Sequence, residues 1–415
     1  MVLLLGAKLA TRSHDTQYPF RQDSDFWYLT GFNHPDAVSV LRTDGGAPYT
    51  LFVEPRNREA ETWTGYRPGT EGAKRNYGAD EAFEIGDFQK ELPGILSKAK
   101  QIYHILGRER DLDAKLAEIL GDMRLRSRQG FEPASIIADP RNLLHEMRLR
   151  KEPAELEIMR RAAAITTEGH REAAKLVRDG RFEYELAAML EYTFRRLGAN
   201  GPAYTTIVGS GRNAATLHYT TNDKKLVSGE LVLIDAACEL EGYASDVTRT
   251  YPVGGSMEGP ARAIYEIALA AQEASLQACR PGATLDEIHD AAVRSLVEGL
   301  VALGLLSGAV DELIAEDAYR PYYMHRTSHW LGLDAHDVGT YSVGGKPRVL
   351  EPGMVFTVEP GIYVPDDDEK ARAEFRGIGV RIEDDVVITS ESFENLTAAI
   401  PKRPADLEAW VRDAS

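Results

Sequence analysis

The sequence predicts a two-part architecture: a smaller α/β domain over residues 1–142, then a larger α+β domain over residues 143–415. Three observations carry this reading. Up to about residue 140, apolar runs of strand length are mixed with helical patterns. A passage containing Pro and Arg, RSRQGFEPASIIADPRNLLHEMRLRKEP, then interrupts both patterns and marks the boundary. Beyond it the order helix, helix, strands occurs twice, which suggests two pseudo-twofold halves without an obvious sequence repeat.

The elements follow in chain order. MVLLLGAKLATRS opens with a short apolar run and no basic region before it. The run is far too short to span a bilayer, so it reads as a buried first strand rather than a signal. AVSVLRT, YTLFVEP and QIYHILG read as further strands, and FQKELPGILSKAK as a helix. In the larger domain a helix begins at Pro153, a residue suited to a first helical position, with Leu156, Met159 and Ala163 on one stripe. A second helix, FEYELAAMLEYTFRRL, ends at Gly198. TTIVGS and the hairpin LVLIDAACELEGYASDVTRTYP supply strands. The second half starts with the helix ARAIYEIALAAQEASLQA, and a further helix is opened by a Thr284–Glu287 capping box and closed by Gly304. GMVFTVEPGIYV and GVRIEDDVVIT return to strand, and DDDEKARAEF between them reads as a solvated loop.

Composition narrows the class of function. Lys plus Arg number 48 against 65 Asp plus Glu, a net charge of −17. Nucleic acid and anionic membrane surfaces both require a basic footprint, so neither is an expected partner. Two cysteines in 415 residues suit a reducing cytoplasm rather than a disulfide framework.

Chemistry is concentrated in the strands. Asp235 follows four apolar residues directly, and Asp246 lies beyond a Gly-bearing turn. With a loop of two or four residues, both side chains share one hairpin face, opposite or diagonal, roughly 5–8 Å apart. Buried together they repel unless a proton or cation stands between them. Glu359 ends MVFTV and Glu383 sits inside VRIEDDVVIT, so each half contributes two strand-borne carboxylates. Two divalent cations would neutralise the four charges. Of ten histidines, His218, His325, His329 and His336 fall in LHYT and MHRTSHWLGLDAHD. His325 and His329 have a helical zinc-motif spacing, but Arg326 stands where that motif needs Glu. His170 and His289, on helices, read as ordinary solvated or capping residues. Arg381 shares a strand face with Glu383, as a partner to the acids, a substrate clamp or a simple salt bridge.

Four segments, LIDAACELEGYASDVTRTYPV, MHRTSHWLGLDAHDVG, LEPGMVFTVEPGIYV and RGIGVRIEDDVVIT, resemble the signatures of the Xaa-Pro aminopeptidases (aminopeptidase P), members of the pita-bread metallopeptidases. RQDSDFWYLTGF resembles that family's amino-terminal domain. The resemblance implies two metal ions, manganese first, with zinc, cobalt or iron as alternatives. It places Asp235 on one ion, Asp246 and Glu383 bridging both, and His329 and Glu359 completing the second. It also implies a bridging water or hydroxide that attacks the peptide bond before proline, with Glu359 shuttling the proton and His336 stabilising the oxyanion. His325 and His218 resemble pocket histidines, the latter near the prolyl ring. Tyr363, Arg381 and Arg128 match cleft residues, Tyr204 a loop beside the site, and Trp63 a residue reaching a neighbouring subunit. Departures are Ala237, where family members have Gly, Arg326, where they have a smaller residue, and a start that lacks the helix preceding the first strand.

The expectation is therefore a cytoplasmic aminopeptidase acting on peptides with proline second, as a homodimer or homotetramer. A prolidase, restricted to dipeptides, is the alternative on the same fold. A metal-free, creatinase-like hydrolase would have replaced ligand positions, all five of which are filled here. A non-enzymatic pita-bread adaptor would have lost ligands and often gained a basic tail.

Overall fold

The computed structural model describes residues 1–130 and 132–413. The chain divides into two compact units, Met1–Glu146 and Met147–Ser415. In the first, the strand Val2–Leu5 pairs antiparallel with Val38–Leu41 on one side and parallel with Gln101–Tyr103 on the other. Tyr49–Val53, Glu81–Glu84 and Ile136–Ala138 extend the sheet to six strands. Successive side chains of a strand point to opposite faces. Leu3 accordingly packs with Phe88, Leu92 and Leu116, while Leu4 packs with Phe26, Phe32 and Ala73. Both faces are covered by helices, which explains why the first strand is apolar without alternation.

The second unit has the duplicated order. Helices Pro153–Ala174 and Glu183–Arg196 precede a sheet of Ile207–Ser210, Leu231–Asp235 and Thr248–Pro252. Helices Gly259–Ala278 and Leu285–Ala302 precede a second sheet of Val355–Val358, Asp384–Ile388 and Phe393–Asn395. The first helix starts at Pro153 behind Glu152, whose side chain caps the helix reciprocally with Glu155. Thr284 caps the last long helix by accepting from the Glu287 N–H. Each helix pair closes on a glycine. A Cβ on Gly169 would lie 2.3 Å from Phe194, and one on Gly299 would lie 2.4 Å from Ile267. The two halves therefore solve the same packing problem with a small residue at the crossing.

Two helical histidines depart from the sequence reading. His170 is fully buried, donating from Nε2 to the Ala236 carbonyl and facing the Tyr251 hydroxyl with Nδ1. His289 is buried against Thr327 Oγ1. Burial lowers both imidazoles to about 4 from the ordinary 6.5. The unfolded chain then binds protons that the folded chain refuses, so stability is lost as pH falls from 6.5 towards 4. At pH 5 the loss is about 2 kcal/mol for each imidazole. His170→Gln is expected to melt with a shallower dependence on pH between 7 and 5 than wild type; identical slopes would show that His170 titrates normally.

Candidate metal centre and its cavity

The carboxylates arrive at the site through strand register. Asp235 ends the strand Leu231–Asp235 and pairs with Thr248. The loop of the hairpin is Glu241–Gly242, flanked by the pair Leu240 and Tyr243. Residues 236–237 and 245–247 lie between the two paired stretches, and both stretches keep the same register, so Asp246 falls opposite Ala237 and diagonal to Asp235. In the second half Val358 pairs with Asp384, so one residue further Glu359 and Glu383 stand opposite each other. The segment Thr327–His329 lies along the strand Val355–Val358, taking the Thr357 and Glu359 N–H groups on the His329 and Thr327 carbonyls. The halves meet where the Glu383 N–H donates to the Thr248 carbonyl, 3.1 Å.

Asp246, His329 and Glu383 offer ligand atoms within 4.8 Å of one another. His329 defines what can occupy their centre. Its Nδ1 lies 3.0 Å from the Trp330 carbonyl, which only accepts, so Nδ1 carries the proton. Burial lowers its pKa to about 4, so the ring is neutral at pH 7 and Nε2 presents a lone pair. That lone pair faces Asp246 Oδ2 at 3.5 Å and Glu359 Oε1 at 3.4 Å. Acceptors aimed at acceptors need a proton or a cation between them. Asp246, Glu359 and Glu383 are raised well above the usual carboxylate range, first by burial and then by neighbouring acids. Asp235 Oδ1 is buried with no hydrogen-bond partner. Oxygen donors with one imidazole nitrogen suit divalent cations of hard to borderline character, so these residues fit the implied ions.

A second set of groups holds the acids in place. Thr248 Oγ1 donates to Glu383 Oε2 at 2.6 Å and accepts from Arg381 Nε at 3.0 Å. Arg381 Nη2 reaches Asp235 Oδ2 at 2.5 Å, and Nη1 donates to the Tyr363 hydroxyl at 3.0 Å. His325 Nδ1 faces the Arg326 carbonyl at 2.8 Å and therefore carries the proton, so its Nε2 accepts from the Tyr363 hydroxyl at 2.9 Å. Its ring stays neutral, burial first and Arg381 second lowering it to about 4.

A cavity of about 740 Å³ opens on these groups, with a lining drawn wholly from the second unit. It brings together Asp235, Asp246, His329, Glu359 and Glu383 with Tyr204, His218, His325, His336 and Arg381. Tyr204 accepts weakly from the Val247 N–H at 3.4 Å, and its hydroxyl is pushed up by burial and by Asp235. His336 packs on His329 with ring centroids 4.4 Å apart. Tyr363 is 1% exposed and stands behind the wall, touching the cavity through His325 and Arg381. Trp63 and Arg128 belong to the first unit, where both are exposed.

Sequence reasoning missed several buried charges that aim the site. Asp385 accepts from the Asp246 N–H at 3.1 Å and from Ser245 Oγ at 2.7 Å, so it sets the backbone of the ligand opposite. Asp384 is fully buried with Arg249 at 2.6 Å and Lys402 at 2.5 Å. Burial alone would raise it, yet these two cations hold it well below the usual range. Beneath the loop carrying His336, Asp337 binds Arg148 at 2.5 Å and Lys151 at 3.0 Å. The doubled acid after Glu383 and the second Asp of DAHD were visible signals. Their partners lie far away in the chain.

Residues 157–390 match the family model of metallopeptidase family M24, and residues 1–103 match that of the aminopeptidase P N-terminal domain. The Xaa-Pro aminopeptidase of Escherichia coli K12 is 46% identical over 409 residues, covering 98% of this chain and 92% of that protein. A Pseudomonas aeruginosa aminopeptidase structure aligns with TM-score 0.96 at 47% identity, covering 100% of this chain and 94% of the other. Zinc-substituted Escherichia coli aminopeptidase P in complex with product aligns with TM-score 0.95 at 46% identity, over 100% and 94% of the two chains.

Proposed function

The chain belongs to metallopeptidase family M24, and from that premise we propose that its second unit is the catalytic domain of an Xaa-Pro aminopeptidase. It is a metal-dependent hydrolase that releases an amino-terminal residue when proline follows. The observation that carries the reading is the neutral His329 Nε2 aimed at Asp246 and Glu359 in a buried cluster of acids. Asp235, Asp246, His329, Glu359 and Glu383 would hold two divalent ions, with manganese as the expected metal. When bound, such ions polarise a carbonyl and lower the pKa of water to near neutrality.

The chain's own residues do the remainder. Glu359, whose proton affinity burial and Glu383 raise, takes the proton released by the attacking water and delivers it to the prolyl nitrogen. His336 stands beside His329 to donate to the oxygen on which charge develops. His325, neutral through burial and Arg381 and hydrogen-bonded to Tyr363, walls with His218 the space for the proline and its carbonyl. An Xaa-Pro bond is a tertiary amide with no N–H to offer, so recognition of the ring rests on shape. Cytoplasmic location is supported by two free, buried cysteines, and among the described residues no helix is long and apolar enough to cross a membrane. Trp63, exposed on its helix, suits contact with a second copy in a homodimer or homotetramer. Arg128 is assigned to the cleft by resemblance alone.

The test is metal content of the purified protein, followed by turnover of Xaa-Pro dipeptides against Xaa-Pro-Yaa tripeptides. Bound divalent metal and cleavage of the tripeptides are expected. Strict preference for dipeptides would move the assignment to prolidase, and no metal-restored activity on either would refute it.

A further inference from the structure

The cavity is strongly acidic. Asp235, Asp246, Asp334, Glu359 and Glu383 line it against two guanidinium groups, Arg381 and Arg326. Arg381 is 3% exposed and already serves Asp235, Tyr363 and Thr248. Arg326 is different. Its side chain is 58% exposed, and among the described residues it pairs with Asp286, itself 53% exposed in the first turn of the helix Leu285–Ala302.

Exposure also gives depth. Side chains are 16% exposed at His329, 19% at His325 and 58% at Arg326. A peptide cleaved after its first residue places that residue deepest, its proline beside His325, and its remaining residues outward. Arg326 lines the same cavity and is the more exposed group, so a residue beyond the proline comes within its reach. We propose that Arg326 is a specificity residue for a carboxylate of the peptide beyond proline. Peptides there carry a negative charge in two forms, a terminal carboxylate or an acidic side chain, and a guanidinium fork matches either. Asp286 opposes the effect, because it occupies part of the fork and cancels part of the charge.

This inference rests on the aminopeptidase reading, and the experiment separates the two. Cleavage of Ala-Pro-Leu is compared with that of Ala-Pro-Leu-amide, and cleavage of Ala-Pro-Glu-amide with that of Ala-Pro-Gln-amide. Wild type is expected to prefer the charged member of at least one pair by about fivefold, through KM rather than kcat, as for a partly exposed charge-assisted contact. The preference weakens as salt is raised. Arg326→Gln brings that ratio to about one, whereas Asp286→Asn enlarges it. Which pair responds tells a terminal carboxylate from an acidic side chain. An unchanged ratio in Arg326→Gln, or a smaller one in Asp286→Asn, overturns the inference and leaves the activity standing. Failure to cleave any of the four peptides overturns both.

Discussion

Asp246→Asn gives a folded protein whose kcat/KM on an Xaa-Pro-Yaa peptide is lower by roughly a thousandfold or more, the consequence of losing several kcal/mol of metal-assisted stabilisation. The substitution preserves volume and leaves the backbone N–H on Asp385. It removes one charge from the point where His329, Glu359 and Glu383 converge, and it puts an amide where an ion requires an anion. The same exchange acts in the opposite direction on the metal-free protein. Burial and the charges of Asp235 and Asp385 disfavour an ionised Asp246, so a neutral amide relieves repulsion within the cluster. Chelator-treated Asp246→Asn is therefore expected to melt above chelator-treated wild type, while added metal stabilises wild type more than the variant. Three measurements decide it: kcat/KM, metal bound per chain, and melting temperature with and without chelator. Near-normal turnover, or full metal content with wild-type affinity, would refute the assigned ligand set.

What was legible in the sequence follows the range of the interactions. The hairpin could be read because strand side chains alternate with period two, and the face shared by Asp235 and Asp246 depends only on the length of the loop. Thr284 and Pro153 could be read because a helix start is decided within four residues. Glu359 and Glu383 stood out as charges inside apolar runs. Long-range pairings could not be read in this way. Asp384 meets Arg249 from 135 residues away, and Asp337 meets Lys151 from 186. Nothing in the sequence around either acid points to its partner. His170 was misread for the same reason: a polar residue near a helical stripe looks solvated until a strand end, here the Ala236 carbonyl, covers it. A buried cation site was within reach of composition and spacing. The number of ions and the Xaa-Pro bond came from the resemblance.

Arg381 carries the second large effect. Arg381→Met is expected to lower stability by about 3–5 kcal/mol, the cost of removing one partner from a buried ion pair, and to reduce metal affinity or turnover by about 10- to 100-fold. The guanidinium binds in three directions at once: Nη2 to Asp235, Nη1 to Tyr363 and Nε to Thr248. Through Thr248 it is tied to Glu383, and through Tyr363 to the neutral ring of His325. One planar group thus links a carboxylate from each half to the wall of the substrate cavity. Arg381→Lys separates charge from geometry, because an ammonium is a single point on a flexible stem and cannot span the fork. Lysine should recover much of the melting temperature by keeping a cation beside Asp235, but it should leave turnover close to that of the methionine variant. Melting curves with and without metal, read beside kcat and KM for both variants, test this. If lysine restores turnover together with stability, charge alone is sufficient and the three-way fork has no part in aligning the site.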